Sequence, residues 1–299
     1  QPRAVARISL GPGASLGLGA GRSSRLFHLV SDSIPEPDLA FYDFWLDAAR
    51  QDIPTPIVDH ASADLSWARS TVSVRLGLYA SRGRGLMELR PATDQDTAHA
   101  TSPFRAGDSR TAGLEANVTW QDRGGAHALA VIYALTASDR RWDAGWIPWQ
   151  LDRRHLVRVQ ARTTPAKGLV LSVATEYMSG APMTPVTDIV ISGVSGQDGG
   201  LDPTIPIVRY VYGAEGSLRS TGTVRADVGG TFSVGGPWDT QLSFGVSVLN
   251  LGAGAVAPEA PRNPAELAGE LLAGQDATFS YVRTFDLPPI PTVFVRVEF

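Results

Sequence analysis

The chain has 299 residues, of which 43% are hydrophobic and 19% are charged, and its formal net charge at pH 7 is −4. The apolar content is above the range of disordered chains, while the charged content is below that of ordinary soluble domains. Because the net charge is negative, the sequence has no basic field to hold a phosphate backbone, and nucleic acid is not an expected partner. The absence of cysteine removes disulfides, thiolate metal sites and thiol nucleophiles.

No stretch of the sequence reaches the roughly 18 uncharged apolar residues that a membrane-spanning helix needs. The nearest is 126–137, which is too short. The chain starts at Gln1, without the basic and apolar regions of a signal peptide. We therefore expect either a processed product or a segment of a longer protein.

Alternation of apolar and polar residues with a period of two recurs along the whole chain, which indicates β-strands. In 71–79, for example, Val72 and Val74 point to one side while Ser73 and Arg75 point to the other. The fold class predicted is all-β and antiparallel. The alternation predicts about eleven strands, at 3–10, 14–24, 57–69, 71–89, 111–122, 126–141, 154–164, 169–181, 220–234, 239–251 and 289–299.

The connections between these strands alternate between short and long. The short ones are turns of Gly, Pro and polar residues at 11–13, 69–70, 122–125, 165–168 and 235–238. The long ones, predicted to be extracellular loops, are 25–56, 90–110, 142–153, 182–219 and 252–288. This rhythm is typical of a transmembrane β-barrel, which has tight turns at one rim and long loops at the other. Helical spacing predicts one short helix at 258–274, inside the last loop.

A soluble sandwich or up-and-down barrel fits the periodicity equally well. Three further features favour a membrane barrel: many strands have ten or more residues, their polar faces are rich in Arg, Gln, Glu, Ser and Gly, and aromatic residues lie near strand ends. These aromatic residues, which would form a girdle at the bilayer surface, are Trp67, Trp120, Trp142, Trp146, Trp149, Tyr177 and Trp238.

The last seven residues illustrate how the two faces are assigned. Neighbouring residues of a strand point to opposite sides, so Val293, Val295, Val297 and Phe299 are predicted to face lipid. The same rule gives a set of charges facing the lumen: Arg75, Glu115, Arg158, Arg162, Glu176, Arg225, Asp227, Arg296 and Glu298. Such charges either line a solute path or form ladders between neighbouring strands, and the ladder is the simpler interpretation.

No arrangement in the sequence predicts catalysis, a cofactor or a metal site. The five histidines are far apart, and no Ser, His and Asp have the spacing of a catalytic set. Asp198 and Asp202 lie among glycines, as in some calcium loops, but a solvated turn explains them as well. The loop aromatics are candidates for ligand contact or for packing between loops: Phe41, Tyr42, Phe44, Trp45, Trp142, Trp146, Trp149, Tyr210 and Tyr212.

Five segments, in this order, resemble the barrel of TonB-dependent outer-membrane receptors. They are ASLGLGAGRSSRLFHLV (14–30), WDAGWIPWQLDRRHLVRVQA (142–161), EYMSGAPMTP (176–185), RADVGGTFSVGGPWDTQLSFGVSVLNLG (225–252) and LPPIPTVFVRVEF (287–299). In the second, Asp152, Arg154 and His155 resemble the opening of a descending strand of the family. The terminal Phe299 resembles the C-terminal signature of outer-membrane barrels.

The resemblance implies a location in the bacterial outer membrane and a barrel of about 22 strands around a plug. About eleven strands are predicted here, they resemble the second half of the family barrel, and no plug is found. We therefore expect a half-barrel whose complementary half, with a plug, comes from another chain or segment. Its partners would be outer-membrane lipid and, through that half, a TonB-type energising protein.

The function implied by the resemblance is energised uptake of a bulky solute, without enzymatic activity. In the family, the solute is bound by the plug together with the loops. The alternative is a structural or surface-assembly barrel that has lost transport and whose loops dock partner proteins.

Overall fold

The computed structural model describes most of the strands and part of the loops. The described residues are 1–24, 27–30, 44–47, 54–89, 104–142, 145–195, 201–236, 240–251, 255–256, 283–285 and 288–298. The predicted helix at 258–274, Trp238 and Phe299 lie outside these residues, as do the loop aromatics Phe41 and Tyr42. Within the described ranges, no helix has the length and apolar character needed to cross a membrane.

Every regular element of the described residues is a β-strand. The strands are β1 (Arg3–Gly11), β2 (Ala14–Ser24), β3 (Phe27–Val30), β4 (Phe44–Asp47), β5 (Ile57–Arg69), β6 (Val72–Leu89), β7 (Phe104–Gln121), β8 (His127–Trp142), β9 (Gly145–Pro148), β10 (His155–Ala166), β11 (Leu169–Met178), β12 (Pro182–Met183), β13 (Val186–Ser195), β14 (Leu201–Tyr212), β15 (Leu218–Arg219), β16 (Thr223–Gly235), β17 (Gln241–Leu251), β18 (Ala255–Val256), β19 (Arg283–Phe285) and β20 (Ile290–Glu298).

One antiparallel sheet dominates the structure. Its strands follow the order β1-β2-β5-β6-β7-β8-β10-β11-β16-β17-β20, and β9 pairs with the loop end of β8. Each of the eleven strands on this path pairs with the next strand predicted from the sequence, so the antiparallel all-β prediction is confirmed. The path does not close, and β1 and β20 each have one partner on it.

The main difference from the sequence prediction is at β7, which begins at Phe104 and not at 111. The alternation is hidden there because Gly107 is followed by four polar residues, 108–111. The segments predicted as long loops also contain strands of their own, which pair as β3 with β4, β12 with β15, β13 with β14 and β18 with β19. Long loops of this sheet are therefore partly built from small antiparallel ladders.

Two of the short turns owe their shape to glycine. Gly13, between β1 and β2, has φ +76°, and Gly168, between β10 and β11, has φ +78°. A Cβ atom at either position would lie 2.2 Å from a carbonyl oxygen of the adjacent strand, that of Ala68 or Ser233. Any other residue would be strained in its backbone and would push the neighbouring strand away.

The strand register gives the sheet an apolar face that runs across its whole width. One row of paired residues crosses nine strands, namely Ile8, Leu16, Leu65, Leu76, Ala116, Tyr133, Val157, Tyr177 and Val224. At the turn end, the same face continues into Val293, Val295 and Val297 of β20. The predicted assignment of Val293, Val295 and Val297 to one face and of Arg296 and Glu298 to the other agrees with this register.

This apolar face is not covered by protein. Leu78 is 56% exposed, Val246 55% and Val293 73%. Among the described residues, Trp142 is the only hydrophobic side chain that counts as buried. The sheet therefore does not form half of a sandwich in the described residues, and an exposed apolar surface of this extent requires another apolar phase or partner to cover it.

A cysteine scan tests the two faces directly, since the chain has no native cysteine to compete. Asn117 and Val118 are adjacent exposed residues of β7 on opposite faces. In intact cells or membranes, Asn117→Cys is expected to react with a water-soluble maleimide, because it faces water. Val118→Cys is expected to stay unreactive until detergent removes the lipid. Equal labelling of both residues before detergent would contradict the assignment of the faces.

Candidate functional site

The polar face of the sheet is concave at its turn end and forms a groove of about 640 Å³. We call it the polar groove. Two register rows line it. The first is Ser73, Thr119, Ala130, Gln160, Ala174 and Asp227, and the second is Gln121, Ala128, Arg162, Ser172, Gly229 and Ser247. The groove is open because most of these side chains are short.

Two residues predicted to face the lumen, Arg162 and Asp227, lie in this groove. Asp227 has a structural task as well. Its Oδ1 accepts the backbone N–H of Asn250 at 2.7 Å and the Nε–H of Arg225 at 3.1 Å. Asn250 lies where the β16–β17 register shifts and has φ +64°, a conformation that asparagine adopts more readily than most residues. The carboxylate therefore fixes an irregular strand end beside the groove.

Other predicted lumen residues form local ion pairs on the same face. Arg158 of β10 pairs with Glu176 of β11, directly opposite it in the register. Arg296 and Glu298 lie 3.6 Å apart on β20 and are largely exposed. Arg75 shares the polar face with its cross-strand neighbours Ser66 and Asn117. These contacts agree with the ladder interpretation, and exposed pairs of this kind contribute little to stability.

At the loop end, beyond the last apolar residues of β6, several charges converge on the polar side. We call this group the loop-end cluster: Glu88, Arg105, Arg140, Trp142, Trp149 and Glu215. Arg105 makes two hydrogen bonds to Glu215, of 2.7 and 3.0 Å, and one of 3.1 Å to Glu88. The cluster thereby attaches the segment before β15 to the extended ends of β6 and β7.

Burial sets the direction of the pKa shift for two groups of this cluster, Glu88 and Arg140. It raises the pKa of the Glu88 carboxyl, although the nearby Arg140 and Arg105 oppose the shift. Burial also lowers the pKa of Arg140, while Glu88 acts in the opposite direction. The guanidinium remains protonated at neutral pH nevertheless, since arginine titrates far above that range.

The three tryptophans of the loop prediction are all covered by arginines. Arg105 lies over Trp142 and Arg140 over Trp149, each 4.5 Å from the ring centroid. Arg110 lies over Trp146, also at 4.5 Å. Trp142 is only 7% exposed, and the polar-face arginines Arg105 and Arg140 cover Trp142 and Trp149. The girdle prediction is therefore wrong for those two, because both rings pack against polar-face residues, whereas Trp67, Trp120 and Tyr177 are exposed on the apolar face.

The remaining loop candidates are placed by backbone pairing. Tyr210 pairs with Ile189, and Tyr212 with Val186, in the β13–β14 hairpin. They are therefore separated along one small ladder from the tryptophans, which belong to β8, β9 and the turn after β9. Phe44 and Trp45 lie in the separate β3–β4 hairpin. The structure does not bring these aromatic groups into one site within the residues that it describes.

Asp152 connects three segments at the loop end and is 1% exposed. Its Oδ1 accepts the backbone N–H of Ser138 at 2.9 Å, and its Oδ2 accepts hydrogen bonds from Arg154 and Arg219. Arg219 also donates to the backbone oxygens of Asp152 and Gly180. The sequence motif of Asp152, Arg154 and His155 therefore marks a structural junction. The third residue of the motif, His155, makes a hydrogen bond through Nδ1 with the hydroxyl group of Tyr133, at 3.0 Å.

Sequence reasoning missed the loop-end cluster. Arg105 lies in the segment predicted as a loop, and its main partner, Glu215, is 110 positions away. No local pattern signals a pair at that distance. In the part of the chain that the structure describes, no three His, Asp or Glu side chains are arranged to hold a metal ion.

Comparison with known proteins gives structural similarity only. No family model matches the chain, and no curated protein sequence does. Three solved structures match 83 to 84% of it: the ferric-catecholate import receptor Fiu of E. coli K12 (TM-score 0.52, 14% identity), the iron transporter FrpB of Neisseria meningitidis (0.51, 10%) and the ferripyoverdine receptor of the Pseudomonas aeruginosa outer membrane (0.52, 10%).

The fold of the chain resembles that of TonB-dependent outer-membrane receptors. The resemblance predicted from the sequence is thus confirmed at the level of fold. These neighbours are outer-membrane receptors, in agreement with the predicted location. The chain spans about a third of their length, since the match covers 30%, 34% and 28% of the three structures.

Replacement of Asp152 tests its role as a junction. Asp152→Asn is expected to destabilise the loop end by roughly 3 kcal/mol, because it removes the charge of a buried carboxylate that pairs with two arginines. The measurement is protease cleavage around 150–154 as urea is increased, in the protein extracted from membranes. Glu176→Gln is the matched control, and it is expected to cost about 0–1 kcal/mol because its ion pair is exposed. Equal effects of the two substitutions would contradict the role given to Asp152.

Proposed function

We propose that this chain forms the C-terminal half of the barrel of a TonB-dependent outer-membrane receptor for energised uptake of a bulky solute, with no enzymatic activity. Another chain or segment supplies the complementary half and the plug. The observation that carries the proposal is the apolar face, which crosses all eleven strands of the path and is exposed, opposite a concave polar face. In a membrane barrel, hydrocarbon would cover the apolar face and water in the lumen would solvate the polar face.

The apolar face has the height expected of a bilayer-spanning sheet. On β6 it extends from Val72 to Ala80 and is followed by Arg82. With about 3.3 Å per residue and a tilt of about 40°, this stretch covers roughly 20 Å. Outer-membrane barrels have an apolar band of about 25 Å, so the length of β6 fits one crossing.

The direction of the strands favours a complementary half that differs from this chain. In an antiparallel sheet of eleven strands the first and the last, β1 and β20, run in the same direction. Direct closure would pair them in parallel, and so would two copies of the sheet arranged around a common barrel axis. If the complementary half has an odd number of strands, its two edge strands pair antiparallel with β1 at one seam and with β20 at the other. A partner of about eleven strands would satisfy this and give the 22 of the largest plugged transporters.

The two ends of the polar face suggest how the barrel would work. The polar groove, with its short side chains, offers space against which a plug could pack. In the loop-end cluster, Arg105 Nε and Trp142 Nε1 are buried and have no hydrogen-bond partner in the described residues. Unsatisfied buried donors are costly, so a plug, solute or further loop with acceptor groups is expected to bind there. A TonB-type protein would act through the plug.

A second candidate function is a structural or surface-assembly barrel that has lost transport and docks partner proteins through its loops. The packing of Trp142, Trp146 and Trp149 beneath arginines favours this candidate, because covered aromatic rings are not free to bind a solute. The small ladders in the long loops would then present a fixed surface to the partner.

Completion of the barrel is tested on the chain as it occurs in the cell. An affinity tag placed in a described turn at 123–124, followed by extraction of outer membranes in mild detergent, is expected to recover a plug and about eleven further strands. Intact mass shows whether these belong to the same polypeptide or to another chain. Recovery of a closed barrel made of this chain alone, without further strands, would contradict the half-barrel.

Transport is tested separately, by deletion of the gene in cells that are offered bulky solutes. Under the first function, deletion abolishes an uptake activity, and dissipation of the inner-membrane proton gradient in wild-type cells abolishes the same activity. Under the second, deletion leaves uptake unchanged but removes a surface assembly. Loss of uptake on deletion supports the first function, whereas unchanged uptake together with loss of the assembly supports the second.

A further inference from the structure

The first strand of the sheet, β1, is an open edge that carries basic residues. Among the described residues it pairs with β2 on one side and with no strand on the other, and all nine of its residues are exposed. Because Ile8 of β1 lies in the apolar row, Arg3, Val5, Arg7 and Ser9 lie on the polar face. Val5 is 86% exposed, so a neighbouring strand would have free access to this edge.

Neither Arg3 nor Arg7 meets an acid directly on the side where β1 is paired. Their register partners on β2 are the glycines Gly21 and Gly17. A Cβ atom at Gly21 would lie 2.9 Å from the ring of His60 and 3.2 Å from Cγ of Arg3, so only these two side chains cover that glycine. Within the residues that the structure describes, neither arginine makes an ion pair or a side-chain hydrogen bond.

The first acid in the register row of Arg7 is Asp64 of β5, on the far side of Gly17. Its carboxylate leans over Gly17 in the direction of β1, because Oδ1 occupies the space that a Cβ atom of that glycine would need. The Oδ2 atom is buried and has no hydrogen-bond partner in the described residues. Arg7 therefore has one acid two strands away on the paired side and no neighbour on the open side.

The interior of the sheet shows how arginines of the polar face can be paired. Arg158 of β10 is opposite Glu176 of β11, and Glu176 is in turn opposite Arg225 of β16. The sign of the charge alternates along this row, and Arg158 and Glu176 form an ion pair. Opposite charges on facing residues of neighbouring strands stabilise a sheet, whereas like charges destabilise it. The same rule applies to any strand that joins β1.

The other edge of the sheet, β20, has no comparable excess of charge. On its polar face, Arg296 and Glu298 lie 3.6 Å apart and offset each other. Phe294 covers Gly245 of β17, where its ring occupies the space of a Cβ atom, so this side chain is turned inward from the edge. The two edges therefore differ in charge, and a partner can distinguish them by electrostatic complementarity.

We propose that the strand which completes the barrel next to β1 carries acidic residues on its polar face, opposite Arg3 and Arg7. The inference deepens the proposed function and rests on it, since a complementary half is what places a strand at this edge. Facing residues of neighbouring antiparallel strands have Cβ atoms about 5 Å apart, so the side chains of that strand meet both arginines directly. These pairs would also decide which edge of the complementary half joins β1 and which joins β20.

Photo-crosslinking shows which residues meet β1 in the complex as it is isolated from outer membranes. Benzoylphenylalanine replaces Val5, which lies between the two arginines on the polar face, and mass spectrometry of the irradiated complex identifies the labelled residue. We expect a residue of a further strand, with Asp or Glu two positions before it and two positions after it. A neutral or basic residue at either position, or labelling of a plug and of no strand, would overturn the proposal.

Substitution of Arg7 measures what one pair contributes. The readout is the fraction of barrels that SDS opens at a fixed temperature, observed as a change in gel mobility. Arg7→Gln is expected to increase this fraction about threefold, because one cross-strand pair is lost. Arg7→Glu is expected to increase it further, since like charges then face each other. Replacing the facing acid by Arg in the Arg7→Glu protein is expected to restore the closed barrel.

Arg75→Gln is the matched control. Arg75 is also an exposed arginine of the polar face, but its strand, β6, has neighbours on both sides and is not at a seam. This variant is expected to open as the unchanged protein does. Equal opening of Arg7→Gln and Arg75→Gln, or no recovery when the two charges are exchanged, would reject the pairing.

Failure of this inference can be told apart from failure of the proposed function. If position 5 labels no further strand and the barrel consists of this chain alone, the complementary half is lost and the inference is lost with it. If a further strand is labelled but lacks the acids, the half-barrel stands and only the charge pairing is rejected.

Discussion

A sheet that lies in hydrocarbon must pair every backbone N–H and C=O group within the protein, because no water is present to bind them. Here the nine inner strands of the path have neighbours on both sides, whereas β1 and β20 each have a neighbour on one side only. Each unpaired group at such an edge costs several kcal/mol in a bilayer. The proposed complementary half follows from this requirement, together with the parallel direction of the two edge strands.

The same sheet also separates two chemical environments. On one face, rows made mostly of Leu, Val, Ala and aromatic side chains run from strand to strand, and a soluble protein would cover them with a second layer. On the other face, short side chains line a groove at the turn end, and buried ion pairs join separate segments at the loop end. The position of each residue in the pleat thus decides whether its side chain lies on the apolar or on the polar face of the sheet.

The loop end differs from the turn end in how it is held together. The turns need little more than glycine at positions such as Gly13 and Gly168. At the loop end, Asp152 and Arg105 connect segments that are far apart in the sequence, and both are buried. Buried charges with several partners specify one arrangement of the chain, because leaving any partner unpaired is costly. A binding surface for a plug, solute or partner protein would benefit from such a fixed framework.

The sequence by itself determined the strands, their order and their two faces. Alternation with a period of two is a local property, so the strand containing Val72, Val74 and Leu76 could be predicted with its apolar side. The start of β7 was not predicted, because Gly107 and the polar residues after it hide the alternation, and the ladders within the long loops were not predicted either.

Only the tertiary structure decided which distant residues meet. Arg105 with Glu215 and Arg219 with Asp152 depend on how the loop segments pack against the strand ends, which local sequence does not encode. Trp142 shows the difference most clearly: its position near a strand end indicated a girdle, yet its ring lies under Arg105 on the polar side. Local sequence fixes the side of the sheet, whereas register and loop packing fix the neighbours.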